Sequence, residues 1–209
     1  MELKTKKSIS NGVYIVIDPI KPTGHILQQL ERIIDEKIAA IQIWDNPKKR
    51  WPDKNLIEGI LELYHGPVLV NNHWQLMQQY PFDGVHFDTI PADIKEIEVR
   101  INRPFLKGLT LENDLSYLHT AEENGFDYVS FCSLFPSETA DNCEIVQPET
   151  IEQCRKRTDL PIFLAGGINL NNVAALRNLP AEGIAVASSV MNAANPRAIL
   201  QKYQAILKY

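Results

Sequence analysis

A single closed (β/α)8 TIM barrel, with eight parallel strands and helices between them, is the fold class this sequence predicts, on three observations. Short apolar runs recur eight times, and segments with helical periodicity follow most of them. The runs begin roughly every 20–30 residues, the length of one strand–helix unit. The last two runs stop at small residues, Ala165-Gly166-Gly167 and Ala187-Ser188-Ser189. In such a barrel the loops after the seventh and eighth strands are the usual home of a phosphate.

Each element follows in order. Val13–Ile17 reads as a buried strand ending at Asp18-Pro19, and Ile26–Ile34 has helical spacing. Ile38–Trp44 is the second strand, with a helix over Asp53–Tyr64. Val68–Val70 is the third, ending in Asn71-Asn72-His73, with a helix across Trp74–Gln79. Gly84–Phe87 is the fourth, with a charged helix near Asp93–Val99. Phe105–Leu109 is the fifth, before a helix in which Leu115 and Leu118 share a face. Tyr128–Phe131 is the sixth, followed by a long polar loop and a helix near Pro148–Arg157. Pro161–Ala165 and Gly183–Ala187 are the seventh and eighth. Asn195-Pro196 supplies a cap and a first-turn proline for a last helix. An open dinucleotide-binding sheet would place G-x-G-x-x-G after the first strand. Here that position reads Asp18-Pro19-Ile20-Lys21-Pro22, so the closed barrel is preferred.

The 209 residues suffice for one domain with a substantial core, and no linker interrupts them. Residues 1–10 read as a frayed, flexible N-terminal arm and residues 11–209 as the barrel. A net charge of −5 argues against nucleic acid, which requires a clustered basic face. Cys132, Cys143 and Cys154 form no CxxC pair and signal neither a zinc site nor a disulfide framework. No secretory signal and no membrane-spanning stretch is visible, so the cytoplasm is the expected compartment. A homo-oligomer is left open.

Barrel enzymes collect their chemistry at the carboxyl ends of the strands. Polar residues stand there in this sequence: Asp18, Gln42, Trp44 with Asp45, Asn71-Asn72-His73, His86 with Asp88, and Lys107 with Thr110 and Glu112. Ser133, Ser137, Thr139, Gly167 and Ser188 continue the series. Strands end at the surface, and that alone accounts for Asp45 and Asp88. Gln42 sits inside Ile41-Gln42-Ile43, where its amide needs partners; a ligand or a satisfied core could equally provide them. Gly166-Gly167 could bring backbone N–H groups to an anion, or simply turn the chain.

At these residues the chain resembles the thiamine phosphate synthase family, with its related thiazole tautomerases, along nearly its whole length. The marks are Tyr14-Ile15-Val16-Ile17-Asp18, Ile41-Gln42-Ile43, Val70-Asn71-Asn72, Asp83-Gly84-Val85-His86 and Gly125-Phe126-Asp127-Tyr128-Val129. Phe135-Pro136-Ser137-x-Thr139, Ala165-Gly166-Gly167-Ile168 and Gly183–Ser188 complete them. The resemblance implies an enzyme of thiamine biosynthesis that joins a pyrimidine diphosphate to a thiazole phosphate and releases diphosphate, with Mg2+ as cofactor. It puts the thiazole phosphate on Gly166, Gly167 and the Ala187-Ser188 backbone, and the pyrimidine and diphosphate on Gln42, Asn71, Ser137 and Thr139. Asp18, Trp44, Asn72, His73, Lys107, Thr110 and Glu112 are the further pocket candidates.

The diphosphate half departs from the family pattern. Trp44 stands where the family carries arginine, Asn72 where it carries a metal-binding aspartate, and Ala140 where it carries lysine. Asp88-Thr89-Ile90-Pro91 replaces the expected Gly-Gln-x-Asp, which leaves Asp88 or Asp93 as a candidate metal ligand. Loss of one such charge-neutralising group commonly costs about 3 kcal/mol of transition-state stabilisation. Lys48-Lys49-Arg50 could compensate or could be a solvated loop. Two alternatives follow: an isomerase acting on a thiazole phosphate, with Glu112 or His73 as proton carrier, and a non-catalytic thiazole-phosphate-binding protein.

Overall fold

The computed structural model describes residues 5–48, 52–136 and 144–208. Eight strands close in sequence order into one parallel barrel: β1 Gly12–Ile17, β2 Ile38–Ile43, β3 Val68–Asn71, β4 Gly84–Phe87, β5 Leu106–Leu111, β6 Tyr128–Phe131, β7 Ile162–Ala165 and β8 Gly183–Val186. The seam is made where Tyr14 of β1 lies opposite Ala185 of β8. The helices are α1 Thr23–Glu31, α2 Lys54–Leu63, α3 Ile94–Ile101, α4 Tyr117–Glu123, α5 Pro148–Arg155, α6 Ser188–Met191 and α7 Pro196–Leu207. A single 3-10 turn, Trp74–Gln78, stands where the sequence suggests a helix after β3, and a second, Val173–Leu176, follows β7. Leu115 precedes α4 rather than lying in it. The α6 turn directly after β8 is an element the apolar pattern does not announce.

Local chemistry sets the boundaries. Asp53 caps α2 by accepting from the Leu56 N–H at 2.9 Å. Asn195 caps α7 by accepting from the Ala198 N–H, with Pro196 in the first turn as its sequence predicts. Successive strand residues face opposite sides, and two cores result. The outer one packs residues such as Val13, Ile15, Ile41, Val70, Val129 and Leu164 against the helices. The inner one contains Tyr14, Ala40, Leu69, Leu106, Tyr128, Phe163 and Ala185. Tyr14, Tyr128 and Phe163 meet edge to face or tilted across the barrel, with centroids 5.6–6.0 Å apart.

The amino-terminal end of the barrel is covered. Ile9 packs against the inner cluster, Lys6 pairs with Asp127 at 2.6 Å and Lys7 with Asp83 at 2.9 Å. A hollow of about 260 Å³ is lined by Lys6–Ile9, Leu106, Asp127 and Pro161 at that end. It is a crevice beside the arm, remote from the carboxyl ends of the strands.

Candidate active site

The inward face of the barrel turns polar toward the carboxyl ends. In five strands an apolar or small inward residue is followed two positions later by a polar one: Ala40 and Gln42, Leu69 and Asn71, Gly84 and His86, Gly108 and Thr110, Tyr128 and Ser130. Burial obliges these groups to find partners, and they find one another. Tyr14 Oη donates to Gln42 Oε1 at 2.9 Å, and Gln42 Nε2 donates to Asn71 Oδ1 at 3.0 Å. Asn71 Nδ2 donates to the His86 carbonyl at 3.2 Å and to Asp88 Oδ1 at 3.1 Å. On the other side Tyr14 Oη and Tyr128 Oη are 2.9 Å apart, and Tyr128 Oη is 2.9 Å from His86 Nδ1. His86 Nε2 is 2.9 Å from Thr110 Oγ1 and 3.4 Å from Ser130 Oγ.

Glycine 108 makes the tyrosine–histidine contact available. A Cβ there would stand 2.1 Å from the Tyr128 ring and 2.6 Å from His86 Nδ1. Burial pushes the pKa of His86 down to about 4, against the opposing pull of Asp88, so the ring is neutral at physiological pH. Burial raises the phenols of Tyr14 and Tyr128, so both remain protonated.

Above this layer, at the ends of β2, β3 and β4, two carboxylates share one amide. Asn72 Nδ2 donates to Asp88 Oδ2 at 2.7 Å and lies 3.4 Å from Asp45 Oδ2. Asn72 Oδ1 meanwhile accepts from the Asp88 backbone N–H at 3.0 Å. The residue adopts φ 52°, a left-handed conformation that asparagine tolerates well. Asp45 Oδ1 is also 2.9 Å from His73 Nε2.

Magnesium takes oxygen ligands in near-octahedral array. Here the NH2 of Asn72 faces both carboxylates, so a donor occupies the space between them. Among the described residues no three His, Cys, Asp or Glu side chains converge on a metal position. As arranged, these residues do not fit a magnesium ion.

The β7–β8 side has a different character. Gly166 and Gly167 have φ of 95° and 64°. A Cβ on Gly166 would stand 2.2 Å from Ser133 N, and one on Gly167 2.6 Å from the Phe135 carbonyl oxygen. The glycines therefore let this turn press against the start of the β6 loop. The Phe135 N–H donates to the Gly166 carbonyl at 3.1 Å. In a trans peptide the N–H opposes the C=O, so the Gly167 N–H points away from that loop. The Gly167 carbonyl is held in turn by Asn172 Nδ2 at 2.9 Å. After β8, the Ala187 carbonyl accepts from the Val190 and Met191 N–H groups, which opens α6 at Ser188 with its first amides outside the helix ladder.

The other expected site residues divide as follows. Asp18 Oδ1 accepts from the Ile20 N–H and from Asn46 Nδ2, and so ties the ends of β1 and β2 together. Trp44 is half-buried just past β2, and Glu112 is exposed just past β5. Lys107 does not join the mouth. It lies an odd number of positions from Thr110 and so faces outward, where its ammonium pairs with Glu98, donates to the Asn124 carbonyl and sits over the Phe126 ring. Ser137, Thr139 and Ala140, like Lys49, Arg50 and Cys143, lie outside the described residues. Tyr14, Tyr128 and Ser130 are site residues that strand-end polarity does not single out; the two-residue step from apolar to polar in neighbouring strands is the signal that would find Ser130 and place His86 beside it.

Comparison with known proteins matches residues 13–190 to the family model described as thiamine monophosphate synthase. A thiamine-phosphate synthase of Prochlorococcus marinus is 26% identical over 90% of this chain, and the match spans 53% of that relative's length. A thiamine-phosphate synthase of Nitrosospira multiformis is 24% identical, over 94% of this chain and 86% of the relative. Among solved structures, thiamine phosphate pyrophosphorylase from Pyrococcus furiosus superposes with a TM-score of 0.73 at 22% identity, covering 94% of this chain and 95% of that one. That likeness bears on the fold alone.

Proposed function

This chain belongs to the thiamine monophosphate synthase family, and from that premise we propose that it is a thiamine-biosynthesis protein of the synthase type, joining a pyrimidine diphosphate to a thiazole phosphate. In that reaction the bond from the pyrimidine methylene to diphosphate oxygen breaks and its electron pair leaves with the diphosphate. The thiazole nitrogen lone pair then forms the new C–N bond. The observation that carries the reading is the polar inward layer of Gln42, Asn71, His86, Thr110 and Ser130, opening toward the same barrel end as the Gly167 and Ser188 turns. In this proposal Gly167 and Ala187-Ser188 offer N–H groups to the thiazole phosphate. The half-buried Thr110 meets the pyrimidine, and the Gln42 and Asn71 amides, already partnered inside the barrel, hold the floor beneath it.

The proposal does not place magnesium between Asp45 and Asp88, because Asn72 sets an N–H donor there. The same observation favours a second reading, in which the chain binds a thiazole phosphate without turning over a diphosphate partner. Two carboxylates at the β2–β4 side repel a leaving diphosphate. Incubation with both precursors, with and without Mg2+, separates the two. Thiamine phosphate formation supports the synthase. No product under saturating substrates, together with a thermal shift by thiazole phosphate alone, supports the binding protein. Finding neither product nor a shift by thiazole phosphate removes both.

A further inference from the structure

With the buried His86 ring neutral, the polar chain has only one self-consistent arrangement of its hydrogens. Asp88 Oδ1 and the His86 carbonyl are acceptors, so the group of Asn71 facing both must be its NH2. Asn71 Oδ1 therefore faces Gln42, which must present its own NH2. Gln42 Oε1 is then left toward Tyr14, whose single hydroxyl hydrogen goes there. The 2.9 Å contact between the two phenols can be a hydrogen bond only if Tyr128 donates to Tyr14. With its hydrogen spent, Tyr128 can only accept from His86, at 2.9 Å from Nδ1. Nδ1 thus carries the hydrogen of the neutral ring, and Nε2 is left as an acceptor beside Thr110 and Ser130. The opposite tautomer would leave two buried hydroxyl oxygens facing each other at 2.9 Å with no hydrogen between them.

We propose that Asp88, Tyr14 and Tyr128 are positioning residues that lock His86 in its Nδ1–H form, so that Nε2 takes the Thr110 hydroxyl hydrogen and Thr110 faces the mouth purely as an acceptor. The 2.9 Å Nε2 contact uses the one hydrogen Thr110 can donate. Its oxygen lone pairs stay available, one of them within 3.8 Å of the Cys132 thiol. A half-buried acceptor at this position selects a ligand that brings its own N–H or O–H and disfavours one that presents a bare lone pair. The neutrality of the ring agrees with the depressed pKa of His86. The tautomer stands without any assumption about substrate; its use in ligand selection rests on the function proposed above.

The test is the nitrogen spectrum of 15N-histidine-labelled protein at neutral pH, with the His86 signals assigned by their loss in His86→Gln. The expected result is a protonated, pyrrole-type Nδ1 and an unprotonated, pyridine-type Nε2. The reverse pattern in the unmodified protein overturns the proposal, whether or not the tyrosine variant described next can fold. Tyr14→Phe then separates positioning from mere packing. It frees the Tyr128 hydrogen to reach Nδ1, so the His86 hydrogen should move to Nε2. A folded Tyr14→Phe protein that keeps the Nδ1–H form shows that Tyr14 does not set the tautomer, and it too overturns the proposal. Because neither measurement uses a substrate, failure here is distinct from failure of the synthase reading.

Discussion

Acid should weaken this fold through one identified side chain. His86 is buried at 5% exposure, where loss of solvent disfavours the charged ring. Its pKa falls from the ordinary 6.5 to about 4 in the fold. The unfolded chain therefore binds a proton between those two values that the folded chain refuses, and stability falls as the pH drops through that window. The loss amounts to about 2 kcal/mol by about pH 5 and levels off at about 3 kcal/mol below about pH 4. Above about pH 7 the term vanishes. Urea unfolding of the wild type and of His86→Gln between about pH 7.5 and pH 5 isolates it, because the carboxylates common to both cancel. The variant is less stable throughout, but its stability should fall less steeply, by about 2 kcal/mol over that range. Parallel pH profiles would show that His86 protonates freely in the fold and that burial does not hold the ring neutral.

Three further outcomes follow from the geometry. Gly167→Ala forces a side chain into φ 64° and against two carbonyl oxygens, so thermal unfolding should show a loss of at least about 1–2 kcal/mol. The thermal shift with thiazole phosphate should disappear with it, and a retained shift would move the phosphate elsewhere. Lys107→Met removes an outward cation whose hydrogen bond and charge, against the opposing effect of burial, hold the Glu98 carboxyl below its usual range. It should destabilise by about 2 kcal/mol while leaving ligand binding unchanged, as calorimetry would record. Asn72→Asp turns the shared donor into a third carboxylate, so it should lower stability without divalent cation and regain it when Mg2+ is added. Equal Mg2+ stabilisation of wild type and variant would show that the amide does not displace a cation.

The barrel is legible in the sequence because its cause is periodic. Eight apolar runs separated by amphipathic segments leave little choice of architecture, and every expected strand is present to within about two residues at either end. What the runs conceal is their inward face. A parallel strand is buried on both sides, so Val13-Tyr14-Ile15-Val16-Ile17 reads as uniformly apolar although Tyr14 and Val16 belong to the interior and the others to the outer core. Lys107 and Thr110 both look like strand-end polar residues, yet an odd separation puts the two on opposite faces. The tyrosine–histidine chain is not legible at all. It depends on barrel closure, which brings β1 and β6 within hydrogen-bond reach although 114 residues separate Tyr14 from Tyr128. The short turns after β3 and β7 escape for another reason: apolar spacing over four or five residues does not distinguish a 3-10 turn from an α-helix.

The hydrogen bonds at the mouth form a consistent set. Three carboxylates at the ends of β2, β3 and β4 would require a cation to offset their repulsion; two carboxylates bridged by the Asn72 amide do not. With asparagine at 72, the hydrogen bonds of Asp88 run inward through Asn71 as well as sideways to Asn72. Asp88 thereby becomes the terminal acceptor of the buried chain that ends at His86. Asp88 accepts one side-chain hydrogen bond on each oxygen, so a cation drawn to this site would compete with the Asn71 and Asn72 amides for its charge. Asp88 is therefore shared by the amide bridge at the mouth and by the buried chain behind it.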